Sequence, residues 1–146
     1  MPQPIEVLVQ HEQWFRALVE QSSDALALTT AEGTILYASP STVRVTGYVA
    51  DELIGLNGFD FLHPDELERA PQRFNTILDH PGEVTTFEYR LRHKDGTWHW
   101  MESNVTNLLH DPIIGAIVVN FRDITERKQA EEERVQLLAR ERELVR

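Results

Sequence analysis

The residues with the widest chemical repertoire in this 146-residue chain are six histidines, His11, His63, His80, His93, His99 and His110, because an imidazole both ligates metals and titrates near neutral pH. Their spacing argues against both uses. No His-x-x-x-His pair sets two rings on one helix face, and no carboxylate stands at ligand spacing, so neither a metal nor a haem ligand set is expected. His80, at a helix end before Pro81, fits a dipole-stabilised cap better than a ligand. Gly-x-Ser-x-Gly, Gly-x-Gly-x-x-Gly and Walker lysine patterns are absent, and the seven glycines fall singly at turns. There is no cysteine, which removes disulfides, thiolate ligands and cysteine nucleophiles together. Glu83, Glu88 and Glu102 are expected to pair with Arg90, Arg92 and Arg122 across neighbouring strands rather than to work as catalytic carboxylates. No enzyme is indicated.

The elements that position these residues follow from periodicity. Trp14, Phe15, Leu18 and Val19 make one apolar stripe on a helix spanning about Ile5 to Gln21. Ala25 to Leu28 and Thr34 to Tyr37 read as strands joined by a turn at Gly33, and Pro40 to Leu62 holds short helical pieces broken by Gly47, Gly55 and Gly58. His63-Pro64-Asp65-Glu66 starts a helix with acids in its first turn; Leu67, Phe74, Ile77 and Leu78 follow, and Pro71 delays or kinks it. Phe87, Tyr89 and Leu91 alternate with charged residues up to the Asp95-Gly96 hairpin signal. A strand from Trp98 to Leu109, a turn at His110-Asp111-Pro112 and a last strand at Ile117 to Phe121 complete the body. Strands first, helices in the middle and antiparallel strands last make an α+β fold, one sheet with helices on one face.

The charge balance divides the chain. Fourteen basic against 24 acidic residues give a net charge of −10, and a polyanion such as nucleic acid would be repelled. The same acidity makes burial of Trp98 and Trp100, rather than base stacking, the better reading of that pair. Residues 126–146 hold six acids and six bases, so the deficit belongs wholly to residues 1–125. The neutral tail reads as one helix, capped by Asp123 or Thr125, with two competing apolar seams: Val135, Leu138, Arg142 and Val145, and Ala130, Leu137 and Leu144. Alone it has too little core to be stable, and a parallel coiled coil with a second copy is its expected partner. No stretch approaches the roughly 20 apolar residues of a membrane span, and no secretory signal opens the chain, so a cytoplasmic location is expected.

Five segments, in order, resemble a PAS domain with its C-terminal PAC half. They are Glu32-Gly33-Thr34-Ile35; Thr46-Gly47-Tyr48 with Glu52-Leu53-Ile54-Gly55; His63-Pro64-Asp65-Glu66; Tyr89 through Trp98; and Asp123-Ile124-Thr125-Glu126-Arg127. The resemblance implies a five-stranded antiparallel sheet in the order 2-1-5-4-3, a cleft between sheet and helices, and a sensory or dimerising role upstream of histidine kinases or diguanylate cyclases. It divides the chain into a flanking helix (1–21), a PAS/PAC domain (22–125) and a signalling helix (126–146). Any output domain would lie beyond Arg146, since the tail has neither a histidine phosphoacceptor nor a cyclase motif.

The subtype is read from the same likeness. Light-sensing flavin PAS domains carry a cysteine in Asn-Cys-Arg-Phe-Leu-Gln, where this chain has Asn57-Gly58-Phe59-Asp60-Phe61-Leu62, so cysteinyl photochemistry is excluded. Leu91, Met101 and Phe121 replace the amides that hold a flavin ring, and such groups would leave its polar edge unpaired. Haem PAS domains take their axial histidine from the helix before the third strand, and residues 64–79 contain none. The candidate cleft is lined by Phe61, Phe74, Ile77, Leu78, Tyr89, Leu91, Met101, Val119 and Phe121, with Phe87 on the same face. Either these side chains fill it as core, or they enclose a small apolar or amphipathic ligand. Asp123, Ile124 and Thr125 form the candidate signal junction. The homodimer interface implied is Trp14, Phe15, Leu18 and Val19 over Trp98 and Trp100, continued by Val135, Leu138 and Val145. Two functions stay open: a sensor relaying a signal to the coiled coil, and a ligand-free dimerisation or protein-interaction module.

Overall fold

The structure, a computed structural model, describes residues 24–144. The stripe of Trp14, Phe15, Leu18 and Val19 and the seam residue Val145 lie outside the described residues. In chain order the elements are β1 (Ala25–Thr29), β2 (Ile35–Ala38), α1 (Thr42–Thr46), α2 (Ala50–Leu53), a 3-10 turn (Gly58–Phe61), α3 (Pro64–Leu67), α4 (Ala70–Asp79), β3 (Val84–Arg92), β4 (Trp98–Leu108), β5 (Ala116–Asp123) and α5 (Thr125–Leu144). The five strands form one sheet in the order β2-β1-β5-β4-β3, every neighbouring pair antiparallel. That is the α+β architecture expected from the element order and the strand order implied by the PAS resemblance.

Local chemistry sets the boundaries. Pro71 stands in the first turn of α4, where its missing N–H costs nothing, so the helical stretch begun at Pro64 breaks and restarts at Ala70. His80 caps α4, its Nδ1 lying 2.8 Å from the Thr76 carbonyl. Gly33 turns the β1–β2 hairpin at φ 93°, and a Cβ there would lie 2.7 Å from the Phe59 ring, so glycine serves both the turn and the close approach.

Three apolar clusters occupy the space between the sheet and α1–α4. Ala25, Val45, Met101 and Phe121 form one, Ile35, Ala38, Leu53 and Phe61 the second, and Ile77, Val105 and Ile117 the third. Alternation along β4 buries Met101, Ser103, Val105 and Asn107. The two polar members of that row have work to do: the Asn107 amide donates to the carbonyls of Ile77 and Leu78 at 3.3 and 3.4 Å, tying the end of α4 to the sheet. Helices α1–α4 lie on this inner face, and the outer face carries Arg90, Trp98, Trp100, Glu102 and Arg122.

Candidate functional site

A partly open cavity of about 190 Å³ lies between the inner sheet face and the helices. Phe61, Phe74, Ile77, Tyr89, Leu91, Val119 and Phe121 line it, together with Phe87, as their strand and helix registers require. Met101 and Leu78 do not. Met101 is wholly buried among Ala25, Val45 and Phe121, and Leu78 packs beside Ile77, Val105 and Ile117. Both sit in the core next to the cavity because α1 and the end of α4 close down on the sheet there.

The walls the sequence reading missed come from β1, β2, α1 and the segment after it, including Ala27, Ile35, Thr42 and Tyr48, and from the charged pair Glu66 and Arg73. Glu66, 3% exposed, lies in the wall, and its carboxylate accepts from Arg90 at 3.3 Å and faces Arg73 at 3.5 Å. Helix-start spacing explained an acid at this position but gave no sign of a guanidinium pair recruited from β3 and α4. Tyr89 faces the cavity; burial pushes its phenol up, against a hydrogen bond with Ser103 that pulls the other way. One end of an apolar chamber thus carries a buried carboxylate already neutralised by two arginines. Such a chamber accepts apolar surface and leaves little unmet polarity for a ligand to satisfy.

The candidate junction residues form a closed hydrogen-bonded clasp between β4 and α5. The Asp123 carboxylate accepts the Thr125 N–H at 2.8 Å and meets His99 Nδ1 at 2.7 Å. Trp100 N–H donates to the Thr125 hydroxyl at 3.0 Å, while Ile124 N–H donates back to the Trp100 carbonyl at 2.8 Å. Ile124 is 4% exposed. Burial raises the Asp123 carboxyl, but hydrogen bonds from Thr125 and His99 outweigh it and hold the group below its ordinary range. Asp123 is therefore the cap, and Thr125 binds the strand instead.

On the outer face the carboxylates take partners other than those expected. Glu102 does pair with Arg122, at 3.5 Å. Glu88, however, is bound by Arg127 and Lys128 of α5, and Arg90 turns to Glu66 and Asp65. Trp100 lies between two cations, the Arg90 guanidinium at 5.1 Å and Lys128 Nζ at 5.0 Å from its ring centroid. Trp98 remains 42% exposed, with His63 against it at 4.7 Å. So the first turn of α5 covers this face around Trp100. Beyond Lys128 the helix buries nothing: Val135, Leu137, Leu138 and Leu144 are all exposed.

One further grouping contradicts the reading that no carboxylate stands at ligand spacing from a histidine. His93, Asp95 and His99 bring three donor atoms within 4.8 Å of one another at the β3–β4 turn. The turn folds the hairpin back, so residues that look scattered along the chain meet.

Comparison with known proteins agrees with this geometry. A family model described as PAS fold matches residues 35–113. The sensor histidine kinase TmoS of Ectopseudomonas mendocina is 30% identical over 128 residues, 86% of this chain, which spans only 13% of that protein. Two solved structures share the fold. A domain of the sensory box sensor histidine kinase/response regulator from Geobacter sulfurreducens has a TM-score of 0.67 at 24% identity, covering 80% of this chain and 96% of that one. The PAS domain of an HTR-like protein from Haloarcula marismortui has a TM-score of 0.65 at 22% identity, covering 79% and 98%. Among the described residues no helix is long and apolar enough to cross a membrane. With the family match over more than half its length and the 2-1-5-4-3 sheet forming one wall of a cavity, this chain belongs to the PAS family, the sensory domains of signalling proteins such as histidine kinases.

Proposed function

We propose that this domain is a non-catalytic sensor that takes a small, largely apolar ligand into its cavity and relays the event through Asp123, Ile124 and Thr125 to a helix paired with that of a second copy. The cavity carries the reading. Close-packed interiors leave few voids larger than a water, yet about 190 Å³ stays open here, more than the roughly 150 Å³ engineered cavity that takes up benzene. No histidine lies among the lining residues, which supports an organic ligand over haem. The absence of cysteine supports the same conclusion for flavin adducts.

Transmission follows the hydrogen bonds. Tyr89 and Leu91 of β3 line the cavity, Met101 pairs with Tyr89, and Asp123 pairs with Met101, so a shift of β3 reaches the junction through two rungs of the ladder. The exposed seams of α5 give it reason to pair, and two seams of similar strength supply the two arrangements a switch needs. The dimer would also use the outer face at Trp98 and Trp100, with the stripe of Trp14, Phe15, Leu18 and Val19. The whole signalling protein, with an output domain joined to this piece and working in the cytoplasm, belongs to the same proposal.

Native mass spectrometry of the chain purified without denaturation tests the ligand directly. A copurified small molecule, or a rise in melting temperature with added benzene or indole, is expected. A bare chain whose melting temperature neither probe changes would overturn the ligand and leave the dimerisation module. Sedimentation equilibrium tests the pairing, and a monomer persisting at high concentration would refute it.

A further inference from the structure

We propose that the β3–β4 turn is a transition-metal site, in which His93, Asp95 and His99 ligate a divalent ion of the zinc type and Asp123 supports His99 from behind. The proposal is independent of the cavity and its ligand.

The hairpin register creates the site. Leu91 pairs with His99, so His93, two residues beyond Leu91, is the diagonal neighbour of His99 on the same face. Their rings stack with centroids 4.6 Å apart and an interplanar angle of 25°. The turn itself is held: His93 N–H donates to the Thr97 carbonyl at 2.8 Å, and Lys94 N–H to the Thr46 carbonyl at 3.0 Å. Gly47, the residue that ends α1 at φ 80°, makes room for the His93 ring, since a Cβ there would lie 2.6 Å from Cε1 and 3.1 Å from Nε2. That contact turns the Nε2 edge toward α1 and the Nδ1 edge toward Asp95, whose Oδ1 lies 3.3 Å away.

His99 is prepared in a different way. Its Nδ1 faces Asp123 Oδ2 at 2.7 Å, and an ionised carboxylate only accepts, so the proton sits on Nδ1 and the Nε2 lone pair is free to bind. A carboxylate behind a histidine is the outer-shell arrangement that orients metal-bound imidazoles and raises their basicity. Nε2 lies 3.0 Å from the Thr97 hydroxyl oxygen, whose single proton goes to Asp95 Oδ1, so a bound ion would take the place of that Thr97 contact. Two imidazole nitrogens and one carboxylate oxygen thus lie within 4.8 Å of one another, and a bound ion would replace their present contacts, the Asp95 N–H on His93 Nδ1 and Thr97 on His99 Nε2 and Asp95 Oδ1. Tetrahedral zinc with bonds of roughly 2.0–2.1 Å holds its donors about 3.4 Å apart, so the 4.8 Å spread must close by about 1.4 Å. Asp95, 55% exposed, would make that movement by giving up its hydrogen bonds from Thr97, and the half-buried rings, 21% and 25% exposed, leave a path for the ion. An imidazole-rich set favours zinc, nickel or copper over magnesium and calcium. The ion would fasten the hairpin to Asp123, and through it to the cap of α5.

The test is isothermal titration of the untagged chain with zinc chloride, followed by NMR of the histidine rings. One saturable equivalent is expected, with the His93 and His99 resonances moving together and magnesium giving no heat. His93→Ala and His99→Ala should each weaken binding at least tenfold, Asp123→Asn should weaken it about 10–100-fold, and His110→Ala should leave it unchanged. The ring resonances of the unaltered chain decide the matter even where a variant fails to fold. No saturable binding up to millimolar zinc, or binding that leaves the His93 and His99 resonances in place, would overturn the proposal.

Discussion

The two faces of the sheet are held by opposite means. On the inner face, Ile117 is completely buried, Val105 and Phe121 nearly so, and the contacts are apolar. On the outer face, Glu88, Glu102, Arg122, Arg127 and Lys128 form a network of ion pairs around Trp100, with side chains 20–50% exposed. Apolar burial is strong and indifferent to direction, whereas half-exposed ion pairs are weak and directional. The inner face therefore carries the stability. The outer face fixes where the first turn of α5 sits, at a strength that leaves the helix able to move.

Breaking this contrast begins at the core. Ile117→Ala should cost about 2–5 kcal/mol, read as a lower denaturation midpoint with unchanged slope, because it opens a cavity where no side chain can collapse. A loss below 1 kcal/mol would mean that the inner face is loosely packed. Asp123→Ala removes the cap of α5 and should cost about 1 kcal/mol, measured in the same way and accompanied by faster amide exchange at Thr125 and Lys128.

The outer face is sharpened by pH. Lys128 holds the Glu88 carboxyl below its ordinary range through a hydrogen bond, and Asp123 is likewise depressed. A carboxyl whose folded pKa lies below its unfolded value contributes stability that is present above the unfolded value, near 4, and is lost as pH falls through the folded one. The melting temperature should hold steady from pH 7 to about 5 and then drop. In Lys128→Met the acid drop should be shallower and the loss at pH 7 under about 1 kcal/mol. An unchanged acid slope would deny the pair any role. The smallest effect belongs to Leu138→Ala in the exposed half of α5, which should leave the core melting transition untouched while weakening self-association in sedimentation. Equal association in the two chains would exclude this seam from the dimer.

The contrast also explains what could be read in advance. Strand alternation, the Asp95-Gly96 turn, Pro71 and the Asp123-Ile124-Thr125 stretch are local signals, set by backbone geometry and side-chain period, and they placed the five strands and the aromatic and aliphatic part of the cavity wall from Phe61, α4, β3 and β5. Met101 showed the right parity for the cavity, yet parity gives a face and not a depth along it; α1 decides that Met101 is core. Glu66 read as a helix-start acid because its two arginine partners lie seven and 24 residues away. The same limit hid the His93, Asp95 and His99 grouping, whose members lie close in sequence but become ligand-like only when the turn stacks the rings and Asp123 arrives from β5.

By itself, then, the amino-acid sequence determined the fold class, the strand order implied by its family likeness, the exclusion of cysteine chemistry and the apolar character of the cleft. The strand order rests on the family likeness, and the rest follow from residue type and short-range period. Tertiary structure alone decided that the cleft stays open at about 190 Å³, that two arginines neutralise a buried carboxylate in its wall, and that α5 docks by its first turn and leaves its remainder bare. Those outcomes depend on how far whole elements approach one another, a distance that no pattern along the chain encodes.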